Sequence, residues 1–553
     1  MISTFGVLPS HTGVLNGVEV PLEISVEPLD GNSIVISSSD FQLPRCTRCS
    51  AYLCSSCAHS AEAWCCGVCS QIMNMKKPVP EAQISASTLE VVESGECQPL
   101  FHSIIVFSPV KSIIKQYLTL LPPNAPLSLS TYTDKFNMIP MGTVSQILEE
   151  IDAIPFPNQQ IPFETAANEL IHVFRNTSMP VWHRIFISSP PSDMKSHTIM
   201  SSLKHLYKAI SRVDFFFFGS SYSQFLTELV QSTPGISRIF CPVNEGELPS
   251  ALFSDASRGF GFQLLAVFRA GVAYGVNFVT SPFMASEICE NYIRIPVLPS
   301  KTASLSFALT PPKENLRLRF QTMQCVVKFV RWNPNTNRLS HLFRIISQEY
   351  KISSNLTDLV QSISSSVLFT SWLHQAQKLP LGQQSLGIID RTKAIVSIIN
   401  ANEKLKPLVK MAFLAKSHPA LSTAFWDRLS MGSLLSLSSP RSVEAQFSYS
   451  VEVWDYNDTL LEEGLIASEK RRKGNFIFLV KSFPSLFVLS KTGSAEIVPH
   501  SKMSLSIERF KESCEPILIR TIQSQVDQVK ELLSVDEEEG LAGFLDNIGV
   551  TSL

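Results

Sequence analysis

No stretch of the 553-residue chain offers the roughly 20 apolar residues in a row that a membrane-spanning helix needs. The most hydrophobic segment, Gly261–Met284, is interrupted by Arg269 and several polar side chains. Met1–Gly17 lacks the basic start and apolar core of a secretory signal. The expectation is therefore a soluble, cytosolic chain. An excess of charge is lacking too: 46 Lys and Arg stand against 48 Asp and Glu, for a net charge of −2. A dedicated nucleic-acid binder is usually basic overall, so that class is disfavoured. Catalytic signatures are also absent: there is no Walker-type phosphate loop, no Gly-x-Ser-x-Gly elbow and no His-Glu-x-x-His pair. No catalytic residue can be named, which points away from a metabolic enzyme. The 11 histidines are dispersed; His102, His172 and His183 fall on predicted core elements and read as core or surface residues, not ligands.

Apolar residues make up 44% of the chain and charged residues 17%, a balance that suits large packed cores. At about 100–200 residues per domain, three to five domains are expected. Seven of the 12 cysteines lie between Cys46 and Cys69, and the others, Cys97, Cys241, Cys289, Cys325 and Cys514, are scattered. A disulfide framework would spread its cysteines more evenly over a short secreted chain. Cys46-Thr47-Arg48-Cys49 and Cys66-Gly67-Val68-Cys69 are two CxxC pairs with 16 residues between them. Four thiolates so spaced can close a tetrahedron around zinc and leave no position for substrate, so one structural zinc per chain is expected at Cys46, Cys49, Cys66 and Cys69. Cys54-Ser55-Ser56-Cys57 is a third CxxC, and Cys65 adjoins Cys66. These three cysteines read as spare, with a two-metal site or a redox pair as the alternatives. Trp64 reads as a cover for the site.

The order of elements is informative. Val18–Val26 alternates as a strand with Pro21 favouring an edge. Residues 75–98 are polar, with Pro78 and Pro80, and read as a linker. From Phe101 short apolar strands (Ile104–Phe107, Leu127–Tyr132, Val181–Ser188, Val213–Phe218) alternate with helical spacings (Lys111–Leu121, Thr165–Phe174, Ser201–Val213), which predicts a mostly parallel sheet covered on both faces. Strand-like runs in Leu316–Ser347 flank Asn333-Pro334-Asn335-Thr336-Asn337, a hairpin turn. Helical patterning runs from Asn355 to about Leu437, and Ser438-Ser439-Pro440 marks a boundary. The last segment mixes strands at Phe476–Val480 and Ser485–Leu489 with an amphipathic helix through Ile519, Ile522, Val526, Val529 and Leu533 and a short helix opened by Asp536–Glu539.

Trp64-Cys65-Cys66-Gly67-Val68-Cys69 is similar to the second knuckle of the zinc finger in the inner-coat subunits of COPII, and Leu120-Leu121-Pro122-Pro123-Asn124-Ala125, followed by a strand ending Thr131-Tyr132, resembles the GTPase-activating subunit of that coat. Leu248–Phe253 occupies the place of a further family segment. The resemblance implies a multidomain α/β + β + α protein. Its parts would be β-sandwich strands at 1–40, a zinc finger at 41–75, a von Willebrand A-like trunk at 98–285, a return to the sandwich at 286–350, a helical domain at 351–440 and a gelsolin-like α+β domain at 441–553. It further implies an inner-layer subunit acting in endoplasmic reticulum to Golgi transport, peripheral on the endoplasmic reticulum membrane. The implied partners are a Sar-type small GTPase, a cargo-adaptor paralogue and an outer-coat subunit, with no nucleic acid.

The chain departs from that family in one respect that bears on function. The Gly-Gly-Ser-Gln-Ala-Arg-Phe motif that carries the family's catalytic arginine is missing; Ser524-Gln525 is followed by Val526-Asp527, and the nearest cations, Arg520 and Lys530, read as a solvated helix face. GTPase activation is therefore expected to be weakened. Ser108-Pro109-Val110-Lys111 stands where a von Willebrand A domain places Asp-x-Ser-x-Ser, so no trunk metal site is expected. Lys470-Arg471-Arg472-Lys473 reads as an exposed turn, or as a contact with anionic lipid or an acidic partner. The alternatives are the cargo-adaptor subunit of the same coat and, from another class, a zinc-ribbon nucleic-acid-binding protein.

Overall fold

The computed structural model describes residues 1–16, 18, 20–29, 33–93, 98–175, 180–188, 211–218, 236–240, 260–271, 273–280, 287–289, 291–298, 303–376, 379, 383–415, 421, 439–447, 449–464, 477–482, 485–490, 501–513 and 518–523. Leu248–Phe253, Lys470–Lys473, Ser524–Leu533 and Asp536–Glu539 lie outside the described residues. The chain forms two compact units, the first spanning Met1–Ile363 and the second beginning at Ser364. Among the described residues no helix is long and apolar enough to cross a membrane.

At the centre of the first unit lies a hairpin of two long strands, Phe320–Asn333 and Arg338–Ser353, in continuous antiparallel register from Phe320↔Lys351 to Asn333↔Arg338. Gly261–Arg269 pairs along one side of it, while Thr88–Val92 and Val7–Pro9 pair along the other. Ile34–Ser37 extends the sheet beyond Thr88–Val92. A second, antiparallel sheet takes Glu23–Val26 between Ile2–Ser3 and Leu305–Thr310, with Gly275–Thr280 beyond. The N-terminal strands are thus shared between two sheets whose other strands come from residues 261–353 and, in the first sheet, from Thr88–Val92.

Three readings of this region are corrected. Residues 75–98 are not a bare linker: they contain the helix Glu81–Ser85 and the sheet strand Thr88–Val92. Glu90, within that strand, is fully buried and sits directly opposite Arg344. Arg344 donates to Glu90 through Nε at 2.6 Å, and Arg331 reaches the other carboxylate oxygen at 2.8 Å. Residues 261–280, which the expected trunk bounds of 98–285 include, do not join the parallel sheet. Phe262, Leu264, Ala266 and Phe268 are buried at every second position, the alternation of an antiparallel strand with one inner face. The Val18–Val26 strand is shorter than read, only Glu23–Val26.

The predicted alternation of strands and helices from Phe101 forms a sheet of parallel strands in the order Pro126–Tyr132, Phe101–Val106, Val181–Ser188, Ser211–Phe218, Ile236–Phe240, with Phe136–Met138 antiparallel at one edge. Val181–Ile187 and Ser211–Phe218 are buried at every position, as strands covered on both faces must be. On one face the helix Phe163–Arg175 packs Ala166, Leu170 and Phe174 against Ile105, Ile185, Phe215 and Phe217. On the other, Tyr117 of the helix Lys111–Leu118 meets the guanidinium of Arg184, 4.8 Å from its ring centre. The Pro122–Ala125 turn serves the next helix, Val144–Glu150. Pro123 and Ala125 carbonyls accept from the Ser145 and Val144 amides at 3.0 Å, and Thr143 and Gln146 close a capping box. Residues 201–210 of the predicted Ser201–Val213 helix lie outside the described residues; from Ser211 the chain is strand.

The turn of the long hairpin locks this sheet in place. Asn337 has φ +52°, a conformation Asn tolerates, and only 4% of its surface is exposed. Its Oδ1 accepts from Trp332 Nε1 at 3.0 Å and from His102 Nε2 at 2.8 Å, while its Nδ2 donates to the Leu100 carbonyl at 2.9 Å. His102 Nδ1 then accepts from Arg184 Nη1 at 3.2 Å, which fixes a neutral imidazole. Trp182 packs edge to face on Phe260 and Trp332 at this point, and Trp182 Nε1 donates to the buried Asp214 at 2.7 Å.

The second unit opens with helices Ser365–Ala376, Gln384–Ala394, Val396–Ala401 and Lys406–Leu414. Ser439 does not end this part but caps a further helix, Pro440–Gln446, whose end packs Phe447 on Phe369 at 4.8 Å. A mixed sheet follows, ordered Leu460–Gly464, Tyr449–Trp454, Ile477–Ser482, Ser485–Ser490, Leu518–Gln523, together with the helix Lys502–Ser513. The expected helix through Ile519 and Ile522 is corrected here. Leu518–Gln523 is a strand paired in parallel with Ser485–Ser490, and Arg520 stands opposite Phe487. A short run rich in β-branched residues fits either period, and pairing with an available edge decides it.

Burial, and next to it the charge of Arg184, lowers His102 to about 3 and His183 to about 4. Both are neutral when folded and take up protons once unfolded below about pH 6.5. Their stabilising contribution is full above about pH 6.5 and is lost progressively as pH falls toward 4, at about 1.4 kcal/mol per pH unit for each group. Hydrogen exchange of the Phe101–Val106 and Val181–Ser188 strands between pH 7.5 and 5 should report this loss, and His183→Gln should remove one proton from the dependence.

Candidate metal centre

Cys46 and Cys49 lie on one tight loop and Cys66 and Cys69 on another, and the two loops are built alike. In the first, the Cys46 amide donates to the Ala51 carbonyl at 2.7 Å and the Ser50 amide to the Cys46 carbonyl at 3.0 Å. In the second, the Cys66 amide donates to the Gln71 carbonyl at 2.9 Å and the Ser70 amide to the Cys66 carbonyl at 2.8 Å. Each loop turns back through a left-handed serine, Ser50 at φ +62° and Ser70 at φ +60°. This reversal aims both sulfurs of a loop the same way.

The two loops face each other. Cys46 Sγ lies 3.5 Å from Cys69 Sγ, Cys49 Sγ lies 3.6 Å from Cys66 Sγ, and all four sulfurs fall within 4.8 Å of one another. A central ion bonded to four sulfurs at about 2.3 Å would separate them by about 3.8 Å, so the residues present fit a tetrahedral thiolate site. Among the described residues this is the one such group of metal-ligating side chains. Burial acts to raise Cys46, but backbone amides of Cys49 and Arg48 outweigh it and bring the thiol down to about 7. Burial pushes Cys49 up to about 11 and Cys66 higher still. Cys46 is thus the easier of these to ionise, and the others call for a cation to hold them as thiolates.

What holds the loops is a set of polar clamps on the neighbouring strands, which sequence reading missed. Gln324 Oε1 accepts from the Tyr52 amide at 2.7 Å, and its Nε2 donates to the Tyr52 carbonyl at 3.1 Å, as a strand neighbour would. Gln321 Nε2 donates to the Gly67 and Val68 carbonyls at 3.3 Å. Arg269 Nε donates to the Cys49 carbonyl at 2.8 Å. Thr322 Oγ1 lies so close to Gly67 that a Cβ there would come within 2.7 Å of it, so a larger residue at that place would have to push the Thr322 side chain aside. Trp64, on the strand Ala63–Cys65 paired with Ile72–Asn74, is buried in the same core as the four cysteines, Val91, Val326 and Ile345. The spare cysteines divide: Cys54 and Cys57 are buried in that core, whereas Cys65 is half-buried.

The other candidates fall elsewhere. His102 and His183 are core residues of the parallel sheet. At the end of Phe101–Val106, where a von Willebrand A metal site would lie, an open cleft of about 680 Å³ is lined by Pro109, Lys111, Ser112, Lys115 and Asp152. Lys115 Nζ pairs with Asp152 Oδ2 at 2.7 Å and Lys111 Nζ donates to the Asp152 carbonyl at 3.0 Å.

No protein-family model matches the sequence, and no curated protein does. Solved structures do match. The crystal structure of the human COPII-coat protein Sec24c has a TM-score of 0.75 at 14% identity, covering 99% of this chain and 94% of that one. A von Willebrand factor type A protein from Catenulispora acidiphila gives a TM-score of 0.41 at 10% identity, covering 64% of this chain and 92% of that one. The ArnB paralogue VWA2 from Sulfolobus acidocaldarius gives 0.36 at 13%, covering 64% and 93%. The chain is a mixed α/β protein of several sheets with a four-cysteine cluster, and over nearly its whole length its fold is that of a COPII-coat protein, as the resemblance in its sequence implied.

Proposed function

We propose that this chain is an inner-layer subunit of a COPII-type vesicle coat, a scaffold and not an enzyme, with one structural zinc ion held by Cys46, Cys49, Cys66 and Cys69. The observation that carries the reading is the likeness to Sec24c across 99% of this chain and 94% of that one. Domain-sized likenesses are common among unrelated functions; one that runs through finger, sheets, helices and terminal α+β part in sequence restricts the choice to assemblies built on that whole order. Zinc is the ion that four thiolates in a closed tetrahedron favour, and a closed site serves folding, since no position remains for water or substrate.

The partners that follow from this reading are a Sar-type GTPase, a paralogous inner-coat subunit and an outer-coat subunit, on the cytoplasmic face of the endoplasmic reticulum in transport to the Golgi. A coat subunit meets its GTPase over a broad surface. Stimulation of hydrolysis depends on one arginine that stabilises charge in the transition state. Binding and stimulation are therefore separable, and the missing Gly-Gly-Ser-Gln-Ala-Arg-Phe motif favours binding without strong stimulation. Leu120–Ala125 favours the GTPase-activating subunit; the same missing motif favours a second reading, the cargo-adaptor subunit.

Metal analysis of the purified chain should find one equivalent of zinc, and Cys66→Ser should lose it. Ser70 is exposed at φ +60°. Ser70→Val should cost about 1–3 kcal/mol through backbone strain and weaken zinc binding about 5- to 150-fold in chelator competition, whereas Ser70→Gly should bind zinc as the native chain does. Two equivalents of zinc would show that the wrong cysteines were chosen.

The coat reading is tested by binding to a GTP-loaded Sar-type GTPase and by single-turnover hydrolysis at saturating protein. We expect binding with stimulation well short of the roughly 10³–10⁵-fold an arginine finger supplies. Arg520→Ala should not change it. The absence of any binding would overturn the coat assignment, and stimulation of several thousandfold would overturn the separation of binding from catalysis.

A further inference from the structure

The third CxxC is folded differently from the two metal loops. In Cys54–Cys57 the Cys57 amide itself closes on the Cys54 carbonyl at 2.9 Å, a plain four-residue turn. No left-handed residue follows: among the described residues near it, positive φ outside glycine occurs at Ser50 and Ser70, and neither Ala58 nor His59 shares it. The loop therefore lacks the reversal that presents two sulfurs to a shared ion. Instead its sulfurs face each other at 3.6 Å. The turn is pinned from outside: Ser56 Oγ accepts from Thr322 Oγ1 at 2.6 Å, and Tyr52 just before it is held by Gln324. Cys57 Sγ accepts from the Gly67 amide at 3.3 Å, and Gly67 lies between two ligands of the second metal loop.

We propose that Cys54 and Cys57 are a redox-active dithiol, oxidised to a disulfide by hydrogen peroxide, and that the disulfide loosens the second metal loop through Gly67. A CxxC turn allows a disulfide at about 2.05 Å, which asks the facing sulfurs to close by a small side-chain rotation while the pinned backbone stays. The hydrogen bond from the Cys57 thiol, working against burial, lowers Cys54 to about 6, and the same bond pushes Cys57 up. The pair at neutral pH is then a thiolate beside a thiol, the form in which the first is nucleophilic and the second is ready to resolve. Burial selects the oxidant. Cys54 is 3% exposed and Cys57 4%, which shuts out a protein or peptide disulfide and admits a molecule the size of water.

The chemistry balances in two steps. The Cys54 thiolate attacks one oxygen of the peroxide, the O–O bond breaks, and the departing hydroxide takes a proton from solvent, leaving Cys54 as a sulfenic acid. Cys57 sulfur then attacks Cys54 sulfur, the S–O bond breaks, and the oxygen leaves as water with the Cys57 proton. Two thiols lose two electrons and the peroxide becomes two waters. Drawing the two sulfurs from 3.6 Å to about 2.05 Å shifts Cys57 Sγ against the Gly67 amide, so that hydrogen bond is lost and the loop that presents Cys66 and Cys69 is held less firmly.

The disulfide stands apart from the coat reading. Its effect on the loop rests on the zinc reading, and a thiol map, which needs no metal, separates the two. The full zinc-loaded chain is titrated with hydrogen peroxide, quenched in acid and alkylated, and the labels are placed by tandem mass spectrometry. We expect Cys54 and Cys57 to lose two hydrogen masses together and resist alkylation before any other cysteine, with recovery on treatment with a phosphine. Zinc transfer to a chromogenic chelator should be several-fold faster after oxidation, and in Cys54→Ser it should not respond to peroxide. Should that variant fail to fold, the map on the native chain decides. Oxidation appearing first at Cys46, Cys49, Cys66 or Cys69, or Cys54 and Cys57 remaining fully alkylated, overturns the dithiol. A disulfide that leaves zinc transfer unchanged overturns the link to the metal loop.

Discussion

The pairing of Phe320–Asn333 with Arg338–Ser353 is the constraint on which the first unit depends. Near one end of this ladder Gln321, Thr322 and Gln324 reach the cysteine loops; at the other, Asn337 enters the base of the parallel sheet. The same ladder receives strands from residues 7–9, 88–92 and 261–269 along its sides. A finger near the N-terminus therefore gains its clamps only when a segment some 270 residues later has folded, as the separation of Tyr52 and Gln324 by 272 positions shows. Such non-local contacts demand that loop entropy be overcome before they reward the chain. A metal ion that pre-closes the two cysteine loops would lower that cost, because it orders locally what the hairpin must later grip.

A buried charge pair constrains the register of this ladder. Glu90 faces Arg344 across adjacent strands, and both side chains are about 1% exposed. Pairs of this kind add little net stability, since desolvation offsets their attraction, but losing one partner costs about 3–5 kcal/mol. A slip of one residue turns every side chain to the other face. In a slipped ladder Glu90 would face away from Arg344 and remain buried without its partner. The apolar residues, which tolerate many packings, do not impose that penalty, so the charges decide among registers that hydrophobicity alone would leave close in energy.

Sequence reading recovered the elements whose signal is local. The strands around Ile105, Ile185 and Phe215 are continuous apolar runs, the Asn333–Asn337 turn announces itself by composition, and the CxxC spacing brought together all four sulfurs now found within 4.8 Å. What escaped it depends on partners. Thr88–Val92 lies in a stretch that reads as a polar linker, and the burial of its Glu90 follows from Arg344, 254 residues away, and Arg331. Leu518–Gln523 carries helical spacing at Ile519 and Ile522, and only the free edge of Ser485–Ser490 makes it a strand. Gln321, Gln324 and Arg269 look like ordinary surface residues of a strand until the finger lies over them. Local patterns specify elements; the clamps that position the site are written in pairs, and a single sequence shows each member of a pair without the other.

Two arginines approach the loop that carries Cys46 and Cys49. With a divalent ion bound, four thiolates would carry a net charge of about −2, which would be costly in a core that also holds Leu53, Val326 and Ile345. Arg269 is fastened by its Nε to the Cys49 carbonyl and keeps its charge beside the cluster, although burial pulls its pKa down. Arg45 donates to the Ser50 carbonyl at 3.0 Å on the outer side of the same loop. Both bonds go to backbone oxygens, so both arginines brace the loop that carries Cys46 and Cys49. With the glutamine clamps on the Tyr52, Gly67 and Val68 backbone, they tie the finger to the sheet that the rest of the unit is built upon.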